Sequence, residues 1–153
     1  MLGKTNWRKR ACAALVLCVT TAIALPAQTF TTLHSFDGAD GWNSNGLVQG
    51  TDGNLYGTTL YGGTNTSCYA TSCGTVFKMT PSGTLTTLYS FCAQVGCADG
   101  ENPNGALVQA ANGDFYGTTL DGGTNCAPAC GGTIFKITPG GTLSSNVAFR
   151  VLP

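Results

Sequence analysis

The chain has 153 residues, of which 22 are glycine, eight are cysteine and 14 carry a formal charge. A charged fraction of 9%, against about 25% in typical domains, argues against a disordered chain and against a charge-rich helical bundle. The formal net charge of zero and the pI near 6.5 offer no basic surface for phosphate backbones, so no nucleic-acid partner is predicted.

The first 27 residues have the pattern of a secretory signal peptide. Four basic residues stand near the N-terminus: Lys4, Arg8, Lys9 and Arg10. An apolar run follows over residues 11–25, and the small side chains at its end favour cleavage after Ala27, with Ala24 as the second choice. The run has about 15 apolar residues where roughly 20 are needed to cross a bilayer, so an uncleaved anchor is the weaker interpretation. The sequence predicts export by the general secretory route, with the protein secreted or at the cell surface.

The mature chain from Gln28 is acidic and keeps six cysteines. Removal of residues 1–27 leaves three basic residues and seven carboxylates, a formal net charge of −4. The cysteines form sequence neighbours: Cys68 with Cys73, Cys92 with Cys97, and Cys126 with Cys130. Each pair lies in its own loop of small residues, so three local disulfides are the natural pairing. The spacing differs from zinc knuckles and the lone His34 is distant in sequence, so no metal and no cofactor are predicted.

Turn residues divide the mature chain into short extended segments. Strands are predicted, in chain order, over residues 29–36, 47–49, 54–59, 75–80, 84–91, 106–109, 114–119, 133–138 and 142–149. Asp-Gly at 52–53 and Asn-Gly at 112–113 are typical of hairpin turns, because glycine accepts the positive φ that such turns require. Pro-Ser-Gly at 81–83 and Pro-Gly-Gly at 139–141 predict two further turns. One complete set of four strands is expected from the segments 75–80, 84–91, 106–109 and 114–119.

The sequence repeats itself with a period of about 55 to 60 residues. DGNLYGTTL at 52–60 returns as NGDFYGTTL at 112–120, and GTVFKMTPSGTL at 74–85 returns as GTIFKITPGGTL at 132–143. A period of this length marks a repeat architecture. The predicted β-repeat domain covers residues 28–153, with repeat one at about 28–83, repeat two at about 84–141 and a partial strand at 142–153.

Both faces of the predicted strands carry apolar side chains. Val76 points to one face of its strand, while Phe77 and Met79 point to the other. A sheet covered on both sides fits an all-β fold of β-propeller-like blades, each with four antiparallel strands. About two repeats leave the ring incomplete in this chain, because propellers ordinarily have four or more blades. A β-sandwich and a β-solenoid remain open, and no amphipathic helical period is found outside the signal peptide.

The repeated segments resemble a known family. DGNLYGTT at 52–59, GG at 62–63 and GTVFKMTPSGTL at 74–85 resemble the GloVer tandem repeat, over nearly the whole mature chain. The resemblance implies an exported bacterial protein of many repeats, often with a variable anchoring segment at its end, and implies no catalytic activity. This chain holds little more than two repeats and ends at 151–153 without a recognisable anchor. It is therefore expected to be a fragment, a truncated reading frame, or a subunit that completes the ring by self-association.

Few residues suit catalysis or metal binding. His34 is the only histidine, and the second repeat has Tyr89 in its place, which favours an ordinary strand residue over a catalytic base. The carboxylates that lie close in sequence are Asp37 with Asp40 and Asp99 with Glu101. Glycoside hydrolysis needs such a pair, but aspartate beside glycine is also typical of turns. Calcium stays open at these turns, although neither has the ordered ligand series of an EF-hand. No catalytic residue is predicted.

These observations predict a non-catalytic extracellular or cell-surface repeat protein, a scaffold or binding module for protein or glycan. The candidate ligand contacts are Tyr56, Tyr61, Tyr69 and Tyr116, although the equivalent positions of Tyr56 and Tyr116 also favour packing inside the repeat. Two other functions stay open: a polysaccharide hydrolase or lyase that uses loop carboxylates such as Asp99 and Glu101, and a truncated fragment without independent function. No membrane span is expected after signal cleavage. An exposed blade edge predicts a homo-oligomer, or further repeats that close the ring.

Overall fold

The computed structural model describes residues 28–65, 67–68, 73–124 and 130–150, without the side chains of Cys130 and residues 145–150. From Thr32 onward these residues belong to one compact unit. The predicted signal peptide lies outside the described residues, as do Tyr69 and Cys126. Within the described part, no helix is long and apolar enough to cross a membrane.

The first sheet spans the first copy of the repeat. Its strands are β1 (Trp42–Ser44), β2 (Val48–Gln49), β3 (Leu55–Tyr61), β4 (Thr75–Met79) and β5 (Leu85–Ser90). All pairs are antiparallel, and β3 holds β4 along one edge and both β1 and β2 along the other. The short β1 and β2 therefore act together as one interrupted edge strand. The hairpin turns form where Asp-Gly at 52–53 and Pro-Ser-Gly at 81–83 predict them.

The second sheet repeats this arrangement. Its strands are β6 (Glu101–Pro103), β7 (Val108–Gln109), β8 (Phe115–Asp121), β9 (Cys130–Ile137) and β10 (Leu143–Arg150). The strand order is again an interrupted edge strand, then β8, β9 and β10. The register is also repeated, since Lys78 lies opposite Tyr56 in the first sheet and Lys136 lies opposite Tyr116 in the second. The predicted all-β class is confirmed, as two antiparallel sheets, and no closed ring is found among the described residues.

Two details of the predicted strand pattern are wrong. The expected set 75–80, 84–91, 106–109 and 114–119 is divided between the sheets, because the chain leaves the first sheet after β5. A short 3-10 turn at Val95–Cys97 leads the chain from β5 to the second sheet. A hairpin at this point would have kept the next strand in the first sheet. Residues 29–36 form no strand, since no neighbouring strand is paired with them.

Each sheet has two faces of different composition. Cross-strand partners share a face, so Tyr56 and Lys78 lie on one face of the first sheet, and Gly57 and Phe77 lie on the other. We name these the tyrosine face and the phenylalanine face. In the second sheet, Tyr116 and Phe135 define the same two faces.

The core lies where the tyrosine face of the first sheet meets the phenylalanine face of the second. The rings of Tyr56 and Phe115 stack with centroids 4.0 Å apart, and both side chains are fully buried. Phe91, just after β5, packs edge-on against buried Phe135 at 5.0 Å. At the rim, the Thr51 amide donates a hydrogen bond to the side chain of Gln109 at 2.9 Å. Aromatic packing between the repeats thus holds the two sheets together.

Candidate functional site

The two repeats differ most clearly at one cross-strand pair. In the first sheet Trp42 of β1 lies opposite Tyr61 of β3, and in the second Glu101 of β6 lies opposite Asp121 of β8. Between these ends, β3 and β8 share the sequence YGTTL. The repeat therefore keeps one framework and changes the chemistry at this end of its phenylalanine face. We treat these two pairs as the candidate functional site.

In the first pair, the exposed ring of Trp42 lies beside the half-buried ring of Tyr61. The Trp42 and Tyr61 rings lie 5.0 Å apart with planes tilted by 34°, and Trp42 is 45% exposed. The backbone turns on both sides of Trp42, with positive φ at Gly41 and at Asn43. Asparagine tolerates this left-handed geometry better than most residues, which explains its place beside the tryptophan. Two adjacent ring faces in this position can pack against the C–H groups of a ligand.

The second pair is acidic. Burial raises the pKa of Glu101, and the negative charges of Asp121 and Asp99 raise it further. The Glu101 carboxylate also lies beside sulfur atoms of Cys68, Cys92 and Cys97, with all four groups within 4.8 Å of one another. A carboxyl group whose pKa is raised by burial and by neighbouring negative charge has the environment of a general acid.

We expect Glu101→Gln to stabilise the fold at neutral pH. Because the pKa of Glu101 is raised above its ordinary value of 4.5, its ionisation favours the unfolded chain, and this penalty is absent below that value. The variant should thus exceed wild type in unfolding free energy at about pH 7 and match it at about pH 3.5. Urea denaturation at both pH values measures the difference. Asp121→Asn, which removes one repelling charge, should show part of the same gain, and an equal difference at both pH values would contradict the assignment.

Asp99 is a structural anchor and not a free carboxylate. Its side chain is fully buried and accepts hydrogen bonds from the Tyr89 hydroxyl at 2.7 Å and from the amides of Ala93 and Gln94 at 3.0 and 3.1 Å. Burial, with the bond to Asp99 and its charge, raises the pKa of Tyr89. The sequence paired Asp99 with Glu101, but the structure places Asp121 opposite Glu101.

His34 occupies the equivalent anchor before the first sheet. Its Nε2 lies 2.6 Å from Oδ2 of Asp40, as the Tyr89 hydroxyl lies beside Asp99. Burial opposes the charged form of Asp40, but hydrogen bonds from the Asp37 amide and from His34 outweigh it and lower the pKa of Asp40. The side chain of Asp37 in turn accepts hydrogen bonds from the amides of Ala39 and Asp40. These contacts favour a structural role for the turn.

The predicted tyrosine contacts have different environments. Tyr56 is fully buried, and its hydroxyl donates to Asp52 at 2.9 Å, so its ring is not open to a ligand from solvent. Tyr61 is half-buried beside exposed Trp42, and Tyr116 is half-buried on the tyrosine face of the second sheet. Tyr69 lies outside the described residues.

Comparison with known sequences agrees with the repeated framework. A family model of the Gloeobacter/Verrucomicrobia repeat matches residues 19–151. The chain belongs to this family. The GloVer resemblance of the sequence is thereby confirmed. No curated protein matches the chain.

Two of the three predicted disulfides of this Gloeobacter/Verrucomicrobia repeat protein are confirmed. Cys68–Cys73 closes part of the loop between β3 and β4, and Cys92–Cys97 spans the turn between β5 and β6. The predicted bridge from Cys126 to Cys130 lies outside the described side chains. Because the sulfurs near Glu101 belong to disulfides, they are not thiolates that would bind a metal.

Trp42 and Asp121 are the two site residues that sequence reasoning missed. The signal is present in this Gloeobacter/Verrucomicrobia repeat chain, because GWNSNG at 41–46 returns as GENPNG at 100–105. The comparison would have shown a tryptophan in one repeat where the other has a glutamate. That Tyr61 lies opposite Trp42, and Asp121 opposite Glu101, follows only once the register of β1 on β3 and of β6 on β8 is known.

Proposed function

We propose that this Gloeobacter/Verrucomicrobia repeat protein is an exported, non-catalytic module that binds a glycan at the Trp42–Tyr61 pair. The observation that supports it is the exposed ring of Trp42, which lies 5.0 Å from the half-buried ring of Tyr61. Sugar rings present C–H groups that pack on the electron-rich face of an aromatic ring, while their hydroxyls stay in water. Trp42 supplies the larger face.

Several features of the chain support export. The basic start and apolar run of residues 1–27 fit a secretory signal. Disulfides such as Cys68–Cys73 and Cys92–Cys97 persist in oxidising compartments and are rare in the cytosol. The negative charge of the mature chain favours solubility and disfavours binding to anionic surfaces.

In this proposal each sheet is a propeller-like blade. The strand order of each sheet, the antiparallel pairing and the face-to-face stacking of successive repeats support this interpretation. Two blades alone do not close a ring, and the candidate site lies on the first of them.

The non-catalytic assignment is supported by the environment of the titratable groups. Asp99 is buried and fully used by hydrogen bonds, and His34 is held by Asp40. One observation favours a second function, a polysaccharide hydrolase, because Glu101 has a raised pKa and faces Asp121 across the strands. In this alternative the two carboxylates are Glu101 and Asp121, and not the Asp99–Glu101 pair expected from the sequence.

Binding is tested on the mature chain, in which Trp42 is the single tryptophan and its fluorescence reports on the proposed site. Cellohexaose, xylohexaose and mannohexaose are titrated, and at least one should change the emission. Calorimetry should then show affinity weakened about tenfold or more in Trp42→Ala. Val95→Ala is the control, because Val95 is 98% exposed and lies in the 3-10 turn between the sheets, outside the Trp42–Tyr61 pair. Equal affinity in both variants would refute the aromatic site.

The alternative is tested with the same oligosaccharides by an assay for new reducing ends. Cleavage by wild type that is lost in Glu101→Gln and in Asp121→Asn would establish the hydrolase. Binding without cleavage would favour the module proposed above.

A further inference from the structure

Among the described residues, each end of the two-sheet stack has one face on which no third sheet packs, and the repeat indicates what would pack there. On the phenylalanine face of the first sheet, Leu47 is 50% exposed, while its equivalent Leu107, covered by the neighbouring sheet, is 3% exposed. On the tyrosine face of the second sheet, Val108 is 66% and Leu120 is 49% exposed. The free faces are thus the two kinds of surface that meet in the core between the sheets.

Contacts of the kind seen in the core between the sheets can also form between the two free faces of different copies. In the core, Tyr56 stacks on Phe115, and the Thr58 hydroxyl donates to the carbonyl of Gly105 at 3.1 Å. The free tyrosine face offers Tyr116 and an exposed Thr118 at the same repeat positions. The free phenylalanine face offers Leu55, the repeat equivalent of Phe115.

We propose that a second copy of this chain docks head to tail, with the tyrosine face of the second sheet on the phenylalanine face of the first sheet of the next copy. The interface joins two different surfaces, so each bound copy leaves one of each kind free. Such a heterologous contact produces a ring where the rotation closes and a filament where it does not. The assembly goes beyond glycan binding and does not depend on it. Trp42 and Tyr61 lie at one end of the docked face, and their equivalents on the covered face of the second sheet, Glu101 and Asp121, stay half-buried and exposed.

Residues 29–36 determine how the strands meet at this interface. Their sequence, TFTTLHSF, matches TLTTLYSF at 84–91 in six of eight positions, whereas TLSSNVAF at 142–149 matches it in three. The segment that forms β10 is thus the poorer copy of the outer strand, and residues 29–36 are the better one.

The end of this segment already makes the contacts of an outer strand with the sheet that follows it. Phe36 packs against Phe77 at 5.3 Å, as Phe91 packs against Phe135 at 5.0 Å. The backbone of Leu33 lies against Gly83, as that of Leu88 lies against Gly141. No strand of the described part of the chain lies beside residues 29–36. In the assembly, residues 29–36 of one copy replace β10 beside β9 of the copy before it.

Two complementary variants test the head-to-tail docking, because the two faces of the interface are different and can be blocked separately. Leu47→Lys blocks the phenylalanine face and leaves the tyrosine face intact, and the double variant Val108→Lys/Leu120→Lys does the reverse. Light scattering over a concentration series should find oligomers for wild type and for the exposed control Val95→Lys. Each face variant alone should assemble at least about tenfold more weakly. Their mixture should form a one-to-one heterodimer and nothing larger, because each has one good face.

The results that overturn the proposal are equally definite. A wild-type chain that stays monomeric through the series contradicts it, as does a mixture of the two variants that forms no heterodimer. Circular dichroism and thermal melting of each variant against Val95→Lys separate loss of assembly from loss of fold. No glycan is present, so the outcome is independent of the binding site at Trp42.

Hydrogen exchange of the wild-type assembly tests the strand replacement. Amides of residues 29–36 should become protected on assembly, and those of β10 should lose protection. Unchanged exchange in residues 29–36 of the assembled protein would contradict the replacement.

Discussion

Gly74→Ala should destabilise the fold by about 3 kcal/mol, whereas Gly53→Ala should cost about 1 kcal/mol. Both glycines have nearly the same left-handed backbone, with φ of +84° and +81°. A Cβ atom at Gly74 would lie 2.5 Å from the carbonyl oxygen of Thr59 and 2.5 Å from Cδ of Pro103, and at Gly53 it would meet nothing within 4 Å. The first variant adds a clash with backbone to the conformational cost that both share.

The position of Gly74 explains why the clash cannot relax easily. Its amide donates to the carbonyl of Gly62 at 2.8 Å, and its carbonyl accepts the amide of Phe91 at 3.0 Å. Gly74 thus connects the loop before β4 with the chain after β5. It also lies close to Pro103, which belongs to β6 of the second sheet. Urea denaturation of both variants under oxidising conditions measures the difference. Equal losses would mean that the loop moves freely and that the close approach is unimportant.

The local parts of the fold could be predicted from the sequence. The hairpin strands follow from turn chemistry at Asp-Gly and Pro-Gly dipeptides, and the bridges Cys68–Cys73 and Cys92–Cys97 follow from short spacing. Both are decided by residues a few positions apart. The repeat itself was equally visible, because it is a property of the sequence.

Features that depend on distant partners could not be predicted. Strands β1 and β6 are three residues long and contain Asn43 and Asn102 with positive φ, so no local strand pattern marks them. They exist because β3 and β8 pair with them. Residues 29–36 show the reverse case, a good strand sequence that forms no strand because no partner lies beside it.

The candidate site could not be predicted for the same reason, because its residues are paired across strands that are distant in sequence. Tyr61 was predicted as a contact, but its partner Trp42 was not, since their pairing requires the register of β1 on β3. Glu101 was predicted with Asp99, which is near in sequence, although Asp121 is its partner across the sheet. Sequence distance was a poor guide in both cases, because side chains meet across strands.

Tyr56→Ala should destabilise the fold by about 3–5 kcal/mol, because it removes a large side chain from the core between the sheets. The ring is fully buried on Phe115, and its hydroxyl donates to Asp52. Tyr56→Phe keeps the ring and should cost only about 1 kcal/mol for the lost hydrogen bond. Chemical denaturation of the two variants separates packing from polar contact.

Tyr116→Ala is the matched variant at the same place in the second repeat. Tyr116 is half-buried on an uncovered face, so its loss should cost about 1 kcal/mol when measured at low protein concentration. At concentrations where the chain assembles, the cost should rise toward that of Tyr56→Ala, since a docked copy covers the ring. A small and concentration-independent loss would mean that nothing docks on this face, and a large loss at every concentration would mean that the isolated chain already covers it. The two tyrosines thus measure, at one repeat position, what a neighbouring sheet contributes to stability.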